Sequence, residues 1–210
     1  EKLSLAGQLA ASIAHEIRNP LTAIKGFHQL MNADGNGKPY YFEILADEMN
    51  RIELILNELL LLAKPQALHV KRVDVRVLLE QVCTLMDSQV NLHNVEVEVM
   101  CEHNVRTFIQ CDENQMKQIF INFLKNAIEA MPNGGQVRIT ISARDKESLL
   151  IRFIDEGEGI PEDKLKRVGE PFYTTKEKGT GLGFMICRKI IEDHRGSLNI
   201  TSRLNVGTTV

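Results

Sequence analysis

From Leu5 onward, apolar residues return at three- and four-residue intervals, at Leu9, Ile13, Ile17, Leu21 and Ile24, the spacing of one face of an α-helix. Residues Asn32 to Pro39, NADGNGKP, collect turn formers and end that helix. A second stripe, Leu45, Met49, Ile52, Leu56, Leu59 and Leu62, runs to Lys64-Pro65, where the proline restricts the residue before it and stops the helix. Two long helices joined by a short turn predict an antiparallel hairpin. Alone, such a hairpin leaves apolar faces uncovered, so the pattern predicts a homodimer in which two hairpins form a four-helix bundle.

After Pro65 the period changes, which divides the chain into a helical domain, 1–66, and a second domain, 67–210. Val75 to Asp87 reads as a helix, and Val95 to Met100, VEVEVM, alternates as a half-buried strand does. Arg106 to Cys111 reads as another strand. Asp112 is a candidate N-cap for a helix through Met131, closed by Pro132-Asn133-Gly134-Gly135. Gln136 to Ala143 and Leu149 to Ile154 form a meander; a helix from Gly183 to His194, a strand from Ser197 to Ser202 and a partial strand from Gly207 to Val210 complete an α/β layer. The fold class is therefore α+β. Between Asp155 and Gly183 no period is sustained, and six of the fourteen glycines fall there, as in a functional lid.

With 43% hydrophobic residues in 210, the chain can bury a real core. A formal charge of −3 and the lack of a basic stripe interleaved with aromatics exclude a nucleic-acid partner. The four cysteines are scattered without a CxxC pair, which argues against zinc or a disulfide framework and for a reducing, cytoplasmic setting. No apolar run approaches the ~18 residues of a membrane span. The chain opens mid-pattern at Glu1 and stops just after Gly207-Thr208-Thr209, as expected of a piece of a longer protein, in which a membrane anchor elsewhere would leave this portion cytoplasmic.

Four short segments carry candidate chemistry. In HEIRNP, at about 100° per residue, His15 points away from the apolar stripe, beside Glu16, Arg18, Asn19 and Thr22. An imidazole is a competent nucleophile near neutral pH, and the adjacent Glu16 can hold its tautomer and take its proton. Asn19, one turn on, can orient a water or a phosphoryl oxygen. Pro20 releases the Glu16 carbonyl from its helical bond and bends the axis beside this reactive group. Taken alone, His15 is an ordinary surface histidine. Asn122 and Asn126 project from one helix face and offer hard amide oxygens to Mg²⁺ carrying phosphates, or are polar surface. Asp155-Glu156-Gly157-Glu158-Gly159 follows an apolar strand; the aspartate suits an exocyclic amine and the glycines admit a flat ligand, although an acidic turn reads the same way. Gly179-Thr180-Gly181-Leu182-Gly183 ends the long loop at a helix start, where free N–H groups favour phosphate. It is not a dinucleotide fingerprint, because Phe184 stands where a third glycine is needed, and no Walker A run occurs.

In their order, HEIRNP, NFLKNA, DEGEG, PFYTTK (Pro171 to Lys176), GTGLG and GTT resemble the H, N, G1, F and G2 boxes of the sensor histidine kinases, over essentially the whole chain. The forms NxxxNAIEAM and PFYTTK look most like the sporulation and nitrogen-regulation branch, with a Bacillus-type sporulation kinase as the specific likeness. The resemblance implies a dimerisation and phosphoacceptor hairpin followed by an α/β-sandwich ATPase domain of the GHKL or Bergerat type, with ATP and Mg²⁺ as cofactors. By position it makes His15 the phosphoacceptor, Glu16 its base, and Asn19 the group that positions water for phosphatase chemistry. Asn126 matches the Mg²⁺ ligand and Asn122 the neighbouring metal or phosphate contact. Asp155 matches the adenine-reading carboxylate, Gly157 and Gly159 the pocket floor, and Gly179, Gly181 and Gly183 the lid hinge and phosphate loop. Thr208 or Thr209 falls near the adenine edge, Phe172 anchors the lid, and Lys176 reaches a phosphate or is a solvated charge.

The implied activity is autophosphorylation of His15, then phosphoryl transfer to an aspartate of a response-regulator receiver domain. A regulatory or inhibitory protein is a further expected partner, around the Asn32 to Tyr41 turn of the bundle. The alternatives are a sandwich ATPase without kinase activity and a degenerate-kinase scaffold; Asn122, where the Hsp90 and MutL group carries a catalytic glutamate, argues against the first. Departures from the family pattern are the acidic Glu156 and Glu158 and the Phe184 that replaces a leucine.

Overall fold

The computed structural model describes residues 2–34, 39–63, 68–145, 148–176 and 179–210; the side chains of 2–12, 14–15, 32–34, 39 and 61–63 lie outside the description. The chain forms two compact units, one of Glu1–Gln66 and Glu170–Ile186, the other of Ala67–Gly169 and Cys187–Val210.

In the first unit α1 (Lys2–Asp34) packs along α2 (Pro39–Ala63). α1 runs through Pro20, whose ring is fully buried, so its packing offsets part of the roughly 3 kcal/mol that an interior proline costs. Two residues further, the Thr22 hydroxyl donates to the Arg18 carbonyl, 2.8 Å, adding a side-chain bond to a helix that lacks the Pro20 N–H. Among the described residues of α2, Tyr41 and Ile55 are the buried apolar ones, and the Tyr41 ring lies 5.6 Å from that of Phe27. Leu21, Met49 and Leu56 of the two stripes are exposed in the single chain, as apolar faces of a lone hairpin are expected to be. The turn between the helices, where a regulatory protein was expected to bind, lies at 35–38, outside the described residues.

The second unit contains two sheets. β1 (Val70–Asp74) pairs antiparallel with β3 (Phe108–Asp112), and a five-stranded sheet has the order β2-β4-β5-β7-β6, with β2 at Val95–Cys101, β4 at Gly135–Ala143, β5 at Leu149–Asp155, β6 at Thr201–Arg203 and β7 at Gly207–Thr209. β1 has no counterpart in the hydrophobic pattern, because VKRVD does not alternate and only Val73 is buried; pairing with β3 makes it a strand. β2 alternates in exposure from a buried Val95 onward, as VEVEVM predicts. β6 sits at Thr201–Arg203, later and shorter than the expected Ser197 to Ser202.

β2 and β4 are parallel neighbours, and a parallel pair needs a crossover, supplied here by α4 (Glu113–Glu129). α3 (Val75–Leu92) continues five residues beyond the expected Asp87 because Val90 carries its buried face on. Both helices cover the sheet: Leu78, Leu79 and Val82 of α3 are buried, as are Ile119, Phe123, Leu124 and Ile128 of α4, and Phe120 and Phe123 set their rings 5.8 and 5.6 Å from Phe153 of β5. At roughly 1.5–3 kcal/mol for each large side chain buried, this layer holds α4 in place, and α4 carries the asparagines. Among the described residues, the expected lid segment contains one short helix, α5 (Glu162–Leu165), before α6 (Gly183–Asp193). Among the described residues no helix is long and apolar enough to cross a membrane.

Candidate functional site

On α1, Arg18 and Asn19 are exposed and Glu16 is half-buried. The Glu16 carboxylate faces α2, with its Oε2 3.7 Å from Nη2 of Arg51. His15 lies in α1 one residue before Glu16; its side chain is outside the described residues, so the exposure expected of it is not described either. Further along the hairpin, Ile24, Lys25, His28, Gln29, Leu45 and Met49 line a groove of about 460 Å³.

In the second unit, α4 begins at an N-cap as the sequence predicts. Asp112 Oδ1 accepts from the backbone N–H of Asn114 (3.0 Å) and Gln115 (3.2 Å), and its Oδ2 accepts from His69 N–H (3.0 Å). Burial pushes the Asp112 carboxyl up, but the bonds from Gln115, His69 and Asn114 together outweigh it and hold the pKa below the usual carboxylate value. The Asp112 N–H donates to His194 Nε2, 2.9 Å, while His194 Nδ1 lies 2.7 Å from the Ile190 carbonyl, which assigns the proton of a neutral imidazole to Nδ1. Beside it, hydrogen bonds from Lys117 and Lys71 pull the Glu113 carboxyl down to about 2.

Opposite the buried face of α4, Asn126 Nδ2 donates to Asn122 Oδ1, 2.9 Å. The pair is thus one amide unit. Among the described residues no three His, Cys, Asp or Glu side chains group to hold a metal ion. The amide pair supplies only neutral oxygens, which fits Mg²⁺ whose remaining ligands are phosphates and water.

Asp155 ends β5 and is buried. Its Oδ1 accepts two backbone N–H groups, from Gly157 (2.9 Å) and Thr208 of β7 (3.1 Å), which fixes the carboxylate at the strand end. The DEGEG loop is clamped on both sides: Glu158 N–H donates to the Ala130 carbonyl at the end of α4 (3.0 Å), and Asn205 N–H donates to the Glu158 carbonyl (2.7 Å). Gly157 lies so close to α4 that a Cβ there would be 2.5 Å from the Ala130 oxygen. Gly159, at φ +67°, presses against the Arg203 carbonyl, so only glycine fits both the space and the backbone. Glu156 and Glu158 are exposed. Asp155, Gly157, Gly159 and Thr208 therefore come together in one cradle, and one turn of α4 separates Ala130 from Asn126. Ser202, which bonds Thr208 across β6 and β7, belongs to this cradle and was not anticipated; only the pairing of those strands identifies it.

In the first unit the glycine-rich segment folds back on PFYTTK. Gly181 (φ +70°) lies against the backbone of Phe172, itself at φ +62°, and a Cβ at Gly179 would be 2.5 Å from Thr174 Oγ1. The same hydroxyl accepts from the half-buried Lys176 N–H, 3.1 Å. Gly183 opens α6.

Two family descriptions match the chain. "His Kinase A (phospho-acceptor) domain" covers residues 5–68, and "Histidine kinase-, DNA gyrase B-, and HSP90-like ATPase" covers residues 111–210. The catalytic domain of histidine kinase ThkA is 31% identical, with a TM-score of 0.60 over 67% of this chain and 91% of that one. The chain belongs to the sensor histidine kinases. Its fold, a helical hairpin and an ATPase sandwich, is theirs. In a complex with response regulator protein TrrA, ThkA matches all of this chain and 61% of its own at 32% identity and a TM-score of 0.81. Sporulation kinase A of Bacillus subtilis (strain 168) is 53% identical over 99% of this kinase chain and 34% of its own length, so the chain spans about a third of that relative.

Proposed function

We propose that this chain is the catalytic core of a histidine protein kinase that phosphorylates its own His15 from MgATP and passes the phosphoryl group to an aspartate of a response-regulator receiver domain. The observation that carries this reading is the Asp155 cradle, a buried carboxylate fixed by two backbone N–H groups, in a kinase-family chain whose hairpin helix carries His15, Glu16 and Asn19.

The adenine amino group donates to Asp155, with Gly157 and Gly159 admitting the flat base and Thr208 at its edge. Asn126, braced by Asn122, would hold Mg²⁺, which would offset phosphate charge when bound. Gly179, Gly181 and Gly183 supply backbone N–H groups for phosphate, with Lys176 as a further cation. A His15 ring nitrogen attacks the γ-phosphorus in line; a P–N bond forms, the P–O bond to ADP breaks, and Glu16 takes the imidazole proton. In the second step the receiver carboxylate attacks the phosphorus and the imidazole leaves. Asn19 positions water for phosphatase chemistry on the partner, in which water attacks the phosphorus of the receiver's aspartyl phosphate and the carboxylate leaves.

Exposed Leu21, Leu54, Leu56 and Leu60 on the hairpin support homodimerisation through a four-helix bundle. The complex of ThkA with TrrA supports a receiver partner, and the likeness to Sporulation kinase A supports sporulation-type signalling. Incubation with γ-labelled ATP and Mg²⁺ tests the proposal. The expected label is lost in acid and kept in base, and is absent from His15→Gln; label that persists in that variant overturns it.

A further inference from the structure

The Ser202 hydroxyl is a junction of three segments. It accepts from Ile160 N–H (2.8 Å), donates to the Gly207 carbonyl (3.0 Å), and lies 2.9 Å from Thr208 Oγ1. A serine hydroxyl has one proton and two lone pairs. Gly207 takes the proton, so the bond to Thr208 must be made with the threonine's proton. Ile160 N–H and Thr208 O–H then fill both lone pairs. Thr208 N–H is likewise committed, to Asp155 Oδ1.

We infer that Ser202 is the positioning residue that sets nucleobase specificity. By taking the Thr208 hydroxyl proton and holding β7 against Asp155, it leaves the cradle rich in acceptors. Such a cradle takes a base that presents an amino group, as adenine does, and rejects one that presents a carbonyl there, as hypoxanthine does, because acceptor would face acceptor. Without Ser202, the Thr208 hydroxyl is released to donate to a base carbonyl, and the discrimination against the carbonyl base weakens.

This inference rests on the reading of Asp155 as the adenine-binding carboxylate. Competition of ATP and ITP, each with Mg²⁺, against a fluorescent adenine nucleotide on the whole chain tests both. For Ser202→Ala the expected result is about 3- to 10-fold weaker ATP binding, the worth of one neutral hydrogen bond, and an ATP-to-ITP preference reduced by at least as much. Ser202→Thr, which keeps the hydroxyl, is expected to restore the preference. A purely structural serine would weaken ATP and ITP alike, so an unchanged preference in Ser202→Ala overturns the inference, as does failure of the threonine to rescue. Asp155→Asn run in parallel separates the two failures: if it binds ATP normally, the reading of the cradle falls and the role of Ser202 with it.

Discussion

The Arg51 guanidinium of α2 lies 3.7 Å from the Glu16 carboxylate of α1, and both side chains are about a quarter exposed. The residue next to the proposed phosphoacceptor is thus oriented from the other helix of the hairpin. Because Glu16 is proposed to take the imidazole proton, Glu16→Gln is expected to slow autophosphorylation by about 10²-fold or more while leaving ATP affinity unchanged. Initial rates of label incorporation at saturating ATP, with a binding titration beside them, check both halves. The ion pair itself carries little of the fold, since partly exposed pairs contribute about 0–1 kcal/mol.

Asp155→Asn separates charge from shape. The asparagine carbonyl still accepts from Gly157 and Thr208 N–H, so the loop keeps its bonds and the chain folds. What is lost is the charged acceptor for the base, worth about 1.5–3 kcal/mol, or roughly 10- to 100-fold in nucleotide affinity. Calorimetric titration with an ATP analogue, alongside an unchanged thermal midpoint, is the expected pair of results.

At Gly157 the effect is steric. A methyl group 2.5 Å from the Ala130 oxygen forces the DEGEG loop off the end of α4. Gly157→Ala is therefore expected to destabilise the chain by about 1–3 kcal/mol, and to weaken ATP binding because the loop carries Asp155. Urea unfolding and the same titration measure the two effects.

Acid acts at the start of α4. Both Asp112 and Glu113 titrate lower folded than unfolded, so the stability they contribute is present above the ordinary carboxylate range and is lost as pH falls through it. For Glu113 the window runs from its ordinary value of 4.5 down to about 2. The difference in urea midpoint between the native chain and Glu113→Gln is expected to be constant from pH 7 to about 5 and to close as pH falls towards 2.

Much of this was legible in the chain because it is local. The alternation of VEVEVM gives β2, and the Asp112 cap with the apolar period after it gives α4 and the shared face of Asn122 and Asn126. What was not legible depends on partners distant in sequence. β1 is a strand only because Phe108–Asp112 runs beside it, and Ser202 is a junction only because β6 folds onto β7. Arg51 meets Glu16 across 35 residues through a hairpin register that periodicity does not specify.

The most direct test of the whole account is to locate the phosphoryl group after incubation with MgATP, by mass spectrometry of peptides kept at alkaline pH. The account predicts phosphate on His15 in the native chain, and less of it by roughly 10-fold or more in Asp155→Asn at ATP concentrations near the native Kd and at equal, short incubation times. Phosphate on another residue, or on His15 at native levels in Asp155→Asn, would contradict it.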